Sequence, residues 1–67
     1  MNALVSIITP SYNSAKFIAE TIQSVQNQTY QNWEMIIVDD GSSDETETVV
    51  LSIIENDSRI QFHKLNQ

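Results

Sequence analysis

Apolar residues along the chain form two kinds of pattern, short continuous runs and helically spaced stripes. The runs at residues 4–9 (LVSIIT) and 33–39 (WEMIIVD) have the length of strands, and a polar turn follows each. The first run is rich in β-branched residues, which predicts a strand covered on both faces and ended by Pro10. Residues 59–65 alternate between apolar and polar side chains well enough to predict a third strand.

The two stretches between these runs have the spacing of amphipathic helices. Their apolar positions are Ala15, Ile18, Ile22 and Val25 in the first stretch, and Val49, Val50, Ile53 and Ile54 in the second. We expect the first helix to begin after Asn13 or Ser14, because short polar side chains cap helices, and to end near residues 27–29. The second is expected to begin with a capping box formed by Ser42 and Glu45.

The predicted elements alternate in the order strand, helix, strand, helix, strand. Strands that alternate with helices form parallel sheets through right-handed crossovers. The predicted fold class is therefore α/β, a Rossmann-like βαβαβ unit with three parallel strands and two crossover helices. Neither a repeat nor a linker divides residues 1–67, so we expect them to belong to a single domain.

The composition excludes several classes of protein. The 67 residues include three basic and nine acidic side chains, and the formal net charge of −6 disfavours nucleic acid and anionic membranes as partners. With no Cys and one His, neither a disulfide nor a structural zinc site is expected. No apolar run reaches the roughly 20 residues of a membrane-spanning helix. The first residues lack the pattern of a signal peptide, and we expect a cytoplasmic location.

Polar clusters follow the first and second predicted strands, at the edge where open parallel sheets bind ligands. They are residues 9–13 (TPSYN) and 39–43 (DDGSS), and each precedes a helix N-terminus whose free N–H groups favour anions. Tyr12 offers a ring on which a nucleotide base could stack. Asp39 and Asp40 point to opposite sides of an extended chain, so we expect Asp40 to face a ligand and Asp39 to brace the loop.

The same residues also suit purely structural roles. Asp, Gly and Ser form turns and helix caps without any ligand, and Tyr12 could pack on the first helix as a hinge residue. His63 has no partner at metal-ligand spacing and is best explained as an ordinary strand residue. The first turn contains no Gly, which excludes a dinucleotide-binding fingerprint and a P-loop.

Three ordered segments of the chain resemble the beginning of family 2 inverting glycosyltransferases. They are residues 5–13 (VSIITPSYN), 24–30 (SVQNQTY) and 34–44 (EMIIVDDGSSD), and the similarity extends over residues 4–65. The resemblance implies the A-type glycosyltransferase fold, whose Rossmann-like N-terminal half binds the nucleotide of a nucleotide-diphosphate sugar. It also implies transfer of that sugar, with inversion, to a hydroxyl of a sugar or lipid-linked acceptor.

The resemblance further implies roles for individual residues. Carried over by position, the nucleotide-binding residues are Thr9, Pro10, Tyr12, Asp39 and Asp40. Pro10 and Tyr12 would line the pocket for the base and ribose, with Thr9 beside them. Asp40 would contact the base or ribose of the donor.

Other functional parts of that family would lie beyond Gln67. They are an Asp-x-Asp-like motif that binds a divalent metal, Mg or Mn, and a later carboxylate that acts as general base. Residues 1–67 are therefore expected to be a partial domain, inactive alone, with no catalytic or metal-binding residue of its own. Any membrane association would likewise depend on parts outside these residues.

In the resembled fold the strands run in the spatial order third, second, first, and the first pairs with a further strand. Residues 4–9 would then form an open edge, through which we expect a homodimer.

Two other classes of protein remain open. Residues 36–40 (IIVDD) resemble the first strand of a response-regulator receiver domain, in which an acidic pair holds Mg²⁺ beside a phosphorylated Asp. Against this class, the acidic pair here ends the second predicted strand, and no later Asp stands at a strand end except Asp57, which falls in a helix-to-strand turn. The third class is a small α/β interaction module that binds no ligand.

Overall fold

A computed structural model describes residues 3–65, which form a three-stranded parallel sheet and two helices. In chain order the elements are β1 (Val5–Ser11), α1 (Ile18–Gln26), β2 (Trp33–Asp39), α2 (Thr46–Ile54) and β3 (Ile60–Lys64). The sheet order is β1-β2-β3, with both neighbouring pairs parallel. The predicted βαβαβ fold and its strand order are confirmed.

The core lies on one face of this sheet, beneath both helices. Strand β2 alternates strictly between buried and half-buried side chains, as expected of a strand with one fully covered face. Its buried apolar residues pack with residues of both helices and of β3 in one cluster: Ile18, Ile22, Trp33, Met35, Ile37, Val50 and Ile60. The central strand therefore supplies the middle of the core, and each helix adds its apolar stripe.

The opposite face of the sheet has no covering layer in the part of the chain that the structure describes. Ile8 is 61% exposed there, and Ile36 and Val38 of the neighbouring strand are half-buried. The expectation that β1 is covered on both faces is therefore wrong for these residues. The physical reason is the strand order, because successive crossovers of one hand place both helices on the same side of the sheet.

Several predicted element ends also differ from the structure. Pro10 lies inside β1, opposite Val38, which an edge strand tolerates because a missing N–H there breaks no second ladder. Helix α1 begins only at Ile18, after a turn in which the carbonyl of Ser14 accepts the N–H groups of Phe17 (2.9 Å) and Ile18 (2.8 Å).

The predicted capping box at the start of α2 is wrong as well. The helix begins at Thr46, whose N–H is accepted by the carboxylate of Asp44 at 3.0 Å, while Glu45 makes no side-chain cap. Ser42 does not cap the helix, because its hydroxyl donates to Asp39. Asp44 therefore caps the start of α2 in place of Ser42, whose hydroxyl bonds to the preceding strand.

At the amino end of the sheet, Trp33 packs beneath a charged side chain. The guanidinium of Arg59 lies 3.8 Å from the ring centroid of Trp33, which is 1% exposed. Arg59 also pairs with Asp57 at 2.8 Å, and hydrogen bonds from its guanidinium hold the pKa of Asp57 well below the ordinary value. Trp33 is a core residue, whereas Tyr30 is 41% exposed and its hydroxyl donates to the carbonyl of Ala3.

Candidate functional site

The two polar clusters meet at the carboxyl end of the sheet. Strands β1 and β2 end side by side, with Ser11 opposite Asp39. Just past this pair, the N–H of Asp40 donates to the carbonyl of Ser11 at 2.9 Å. The loops that follow the two strands therefore leave the sheet together, as expected where ligands bind to open parallel sheets.

Asp39 lies beneath these loops and connects them. Its carboxylate is fully buried and accepts the hydroxyl of Ser11 (2.7 Å), together with the N–H (2.8 Å) and the hydroxyl of Ser42. Burial raises the pKa of Asp39, but the hydrogen bonds from Ser42 and Ser11 outweigh it, and the pKa is lowered from its ordinary value. The carboxylate is therefore a buried anion that braces both loops.

Above Asp39, the loops hold one another by hydrogen bonds that run in both directions. The N–H groups of three successive residues of the first loop donate to side chains of the second: Asn13 to Ser42 (2.8 Å), Ser14 to Thr46 (2.8 Å) and Ala15 to Asp44 (3.2 Å). In return, the side-chain oxygen of Asn13 accepts the N–H groups of Ser43 (2.8 Å) and Asp44 (3.3 Å). We call this set of contacts between residues 13–15 and 42–46 the two-loop clasp.

The two-loop clasp alters the expectation that free N–H groups ahead of each helix attract anions. The N–H groups that were expected to attract anions ahead of each helix already have acceptors in Asp44, Thr46, Ser42 and Asn13. The hydrogen bond from the hydroxyl of Thr46 lowers the pKa of Asp44. Desolvation raises this pKa, but hydrogen bonds from the N–H groups of Thr46 and Ala15 lower it further, and the pKa is below its ordinary value. The loop N–H groups ahead of each helix are therefore satisfied from within the chain.

The backbone at two positions makes this arrangement possible. Asn13 has a φ of 47° and Gly41 a φ of 81°, both in the left-handed region. Asn is among the few residues other than Gly that adopt this region readily. Each loop thus reverses sharply enough to face the other.

The structure brings some of the predicted nucleotide-binding residues together at this end of the sheet. Tyr12 is 61% exposed and Asp40 is also exposed, each at the start of its own loop. Pro10 is exposed on the uncovered face of β1, whereas Thr9 is half-buried on the helix-covered face. Asp39 is enclosed. Their roles toward a nucleotide stay predictions.

Sequence reasoning missed most of the two-loop clasp. Asn13 and Ser42 were assigned only local capping roles, and Ser11, Asp44 and Thr46 were assigned none. The available signal was the density of Asn, Asp, Ser and Thr in both loops, since these side chains bond readily to nearby backbone groups. That density does not say which loop each side chain contacts.

Two other features lie away from this site. A groove of about 550 Å³ at the opposite end of β2 is lined by Thr29, Tyr30, Gln31 and Asn32. His63 is exposed, with its Nε2 atom 3.1 Å from the side-chain oxygen of Gln61. Among residues 3–65, no group of three or more His, Cys, Asp or Glu side chains could hold a metal ion.

Comparison with known proteins identifies the family of this chain. Residues 6–67 match the family described as Glycosyl transferase family 2. A putative teichuronic acid biosynthesis glycosyltransferase of Bacillus subtilis, TuaG, is 49% identical over 96% of this chain and 25% of its own length. The Escherichia coli UDP-Glc:alpha-D-GlcNAc-diphosphoundecaprenol beta-1,3-glucosyltransferase WfgD is 53% identical over 88% of this chain and 22% of its own length.

A solved structure shares the fold. The crystal structure of S. aureus TarS superposes with a TM-score of 0.85 and 31% sequence identity, over 97% of this chain and 12% of that one. The chain thus belongs to glycosyl transferase family 2, and it spans about a quarter or less of the length of these relatives. Within residues 3–65, neither helix is long and apolar enough to cross a membrane.

Proposed function

We propose that this chain forms the donor-nucleoside-binding part of a family 2 glycosyltransferase. The parent enzyme would transfer a sugar from a nucleotide-diphosphate sugar to an acceptor hydroxyl with inversion. The observation that carries the proposal is the placement of Tyr12 and Asp40. Both are exposed on neighbouring braced loops at the carboxyl end of a parallel sheet, in a chain of this family.

The exposed residues divide the recognition of a nucleoside between them. The ring of Tyr12 offers a stacking surface for the base, and the rigid ring of Pro10 forms a wall beside it. The carboxylate of Asp40 would accept hydrogen bonds from N–H groups of the base or hydroxyls of the ribose. Thr9 precedes Pro10 in β1 and is half-buried on the helix-covered face. The enclosed carboxylate of Asp39 contributes by holding the loop that carries Asp40.

The transfer step itself is proposed to need residues outside this chain. A divalent metal, Mg²⁺ or Mn²⁺, is expected for the parent enzyme, but the acidic residues of 3–65 form no cluster that fits one. The acceptor would be a sugar or lipid-linked hydroxyl, and a cytoplasmic location stays a prediction. We expect the 67-residue chain to bind the nucleoside without transferring or hydrolysing the sugar.

A titration followed by backbone amide chemical shifts tests the binding proposal. We expect millimolar affinity for one or more of UDP, GDP, CDP and ADP, because two loops bury only part of a ligand. The shifts should centre on Tyr12 and Asp40. The variant Asp40→Asn should weaken binding about tenfold, the effect of one hydrogen bond to a charged group.

The control for this titration removes the same charge elsewhere. Glu20→Gln alters an exposed carboxylate on α1 and should leave binding unchanged. Equal weakening by both variants would indicate a general charge effect and would contradict the role of Asp40. Shifts confined to the neighbourhood of His63, with none at Tyr12 or Asp40, would contradict the site.

We further propose that the 67-residue chain forms a homodimer through the outer edge of β1. Among the described elements, β1 pairs only with β2, so its other edge is open. Residues 4–9 carry no charge, and Leu4, Val5 and Ile8 are 57%, 45% and 61% exposed. Two copies related by a two-fold axis would pair these edges antiparallel into one six-stranded sheet.

Sedimentation velocity at increasing concentration tests the homodimer. The wild-type chain should shift from monomer to dimer, and Ile8→Lys should remain monomeric because it places a charge in the exposed edge. The control Gln23→Lys adds the same charge on the exposed surface of α1 and should still dimerise. A wild-type chain that stays monomeric throughout, or an Ile8→Lys chain that dimerises normally, would overturn this arrangement.

A further inference from the structure

We propose that Asn13 is a positioning residue, which holds Tyr12 and Asp40 in the arrangement that binds the nucleoside. The inference rests on the proposed function, because it concerns the same site. It assigns Asn13 no contact with the ligand. Its role is to lock the loop after β1 against the loop after β2.

Both exposed residues lie in backbone that is tied to the opposite loop. Tyr12 follows Ser11, whose hydroxyl donates to the buried carboxylate of Asp39, and precedes Asn13. Asp40 follows that same Asp39, and its own N–H donates to the carbonyl of Ser11. The backbone is therefore fixed to the other segment on both sides of Tyr12, and at Asp40 itself.

Asn13 completes the set of contacts between the two loops. Its N–H donates to the hydroxyl of Ser42 at 2.8 Å, and that hydroxyl in turn donates to Asp39. Its side-chain oxygen spans the gap to the N–H groups of Ser43 and Asp44. One residue thus contributes a donor and an acceptor to the opposite loop, through contacts about thirty positions apart in sequence.

Few residue types can do both. A φ of 47° is disfavoured for most side chains, and Gly reaches it without strain but has no acceptor. Asp tolerates this region and keeps an oxygen that can accept the same N–H groups. Asn13→Gly therefore removes the acceptor while the backbone conformation stays accessible, and Asn13→Asp restores an acceptor.

The two-loop clasp also predicts how the loss of Asn13 changes the affinity for a nucleoside compared with its diphosphate. The N–H groups of residues 13–15, 43 and 44 already have side-chain acceptors and are not offered to phosphates. The loss should therefore weaken a nucleoside and its diphosphate by the same factor. A larger effect on the diphosphate would mean that these N–H groups bind phosphate.

The experiment combines amide hydrogen exchange with titrations of uridine, guanosine, UDP and GDP. In Asn13→Gly, exchange at Ser43 and Asp44 should accelerate about tenfold, and affinity should fall by up to about tenfold, for nucleoside and diphosphate alike. Amides of the three strands should keep their protection. Asn13→Asp should restore both quantities to within about threefold of wild type. The control Asn27→Gly changes an exposed Asn at the end of α1 and should alter neither.

Each outcome decides the proposal. Unchanged exchange at Ser43 and Asp44 in Asn13→Gly would overturn the clasp. Faster exchange with unchanged binding would make Asn13 merely structural and would overturn its positioning role, while the proposed function survives. If Asn13→Gly loses protection throughout the sheet, Asn13→Asp decides alone, and a tenfold loss of affinity there overturns the proposal. A wild-type chain that binds none of the four probes contradicts the proposed function and this inference together.

Discussion

At the residue scale, two adjacent aspartates have opposite environments. Asp39 ends β2 on its helix-covered face and is fully buried, whereas Asp40 lies one position later and is exposed. The buried carboxylate has acceptor contacts with both loops, which offset the cost of removing it from water. The division of roles therefore follows from burial and not from residue type.

We expect Asp39→Asn to lower the free energy of unfolding by about 2–3 kcal/mol, because an amide can accept fewer of the three hydrogen bonds and leaves a buried donor unpaired. Asp40→Asn should lower it by less than Asp39→Asn does, because the Asp40 side chain is exposed and water screens its interactions. Urea unfolding monitored by the fluorescence of Trp33 measures the free energy of unfolding of both variants. Equal destabilisation by the two variants would contradict the bracing role of Asp39.

At the element scale, the start of β2 and the approach to β3 are held together by Arg59. Its guanidinium stacks on Trp33, pairs with Asp57 and donates to the carbonyl of Gln31 at 3.1 Å. The side chains of Asp57 and Arg59 are only 10% and 34% exposed, which shields the pair from solvent. The other ion pair, Lys64 with Glu47, is 52% and 44% exposed.

This difference predicts unequal effects of the same substitution. Arg59→Met should lower the free energy of unfolding by about 1–3 kcal/mol, through loss of the cation–π contact and the partner of Asp57. Lys64→Met should cost less than about 0.5 kcal/mol, because exposed ion pairs contribute little. Thermal unfolding of both variants beside wild type provides the comparison. An effect at position 64 as large as that at position 59 would show that Arg59 has no special role.

At the scale of the whole molecule, the two faces of the sheet are covered unequally. One face of the sheet is covered by two helices, and the other face and the edge of β1 are uncovered in residues 3–65. The net charge of −6 opposes association of copies, whereas the uncharged edge favours it. The balance between these two terms is what the sedimentation experiment measures.

The acidic side chains also make the stability of the whole molecule depend on pH. The pKa values of Asp39, Asp44 and Asp57 are all lowered in the folded chain. A lowered folded pKa gives stabilisation that is present above the unfolded value of about 3.9 and is lost as the pH falls through the folded value. We therefore expect the free energy of unfolding to fall steadily below about pH 5.

Urea unfolding between pH 7 and pH 3 measures this dependence, at a concentration where the chain is monomeric. Asp57→Asn should flatten the curve, because the group with the most strongly lowered pKa is then absent. A free energy of unfolding that stays constant down to pH 3 would contradict the lowered pKa values.

The sequence by itself determined the order and type of the elements. Strand β2 was predicted with its observed bounds, because a continuous apolar run between polar turns is a local signal. The opposite orientation of Asp39 and Asp40 also followed locally, since side chains alternate along a strand. The site was expected at the carboxyl ends of the strands because parallel topology brings those ends together.

Only the tertiary structure decided how the polar side chains are used. The contacts of Asn13 with Ser43 and of Ser11 with Asp39 join residues 30 and 28 positions apart, and no local pattern specifies such pairs. Contacts with Asp39 and Asn13 also take Ser42 away from its expected cap. Side chains of the facing loop accept the N–H groups of residues 13–15, 43 and 44, ahead of the helices. The uncovered face of β1 likewise depends on where both helices pack. A periodic pattern reports that a side chain is buried or polar, whereas its partner is set by the packing of distant segments, which the periodicity does not contain.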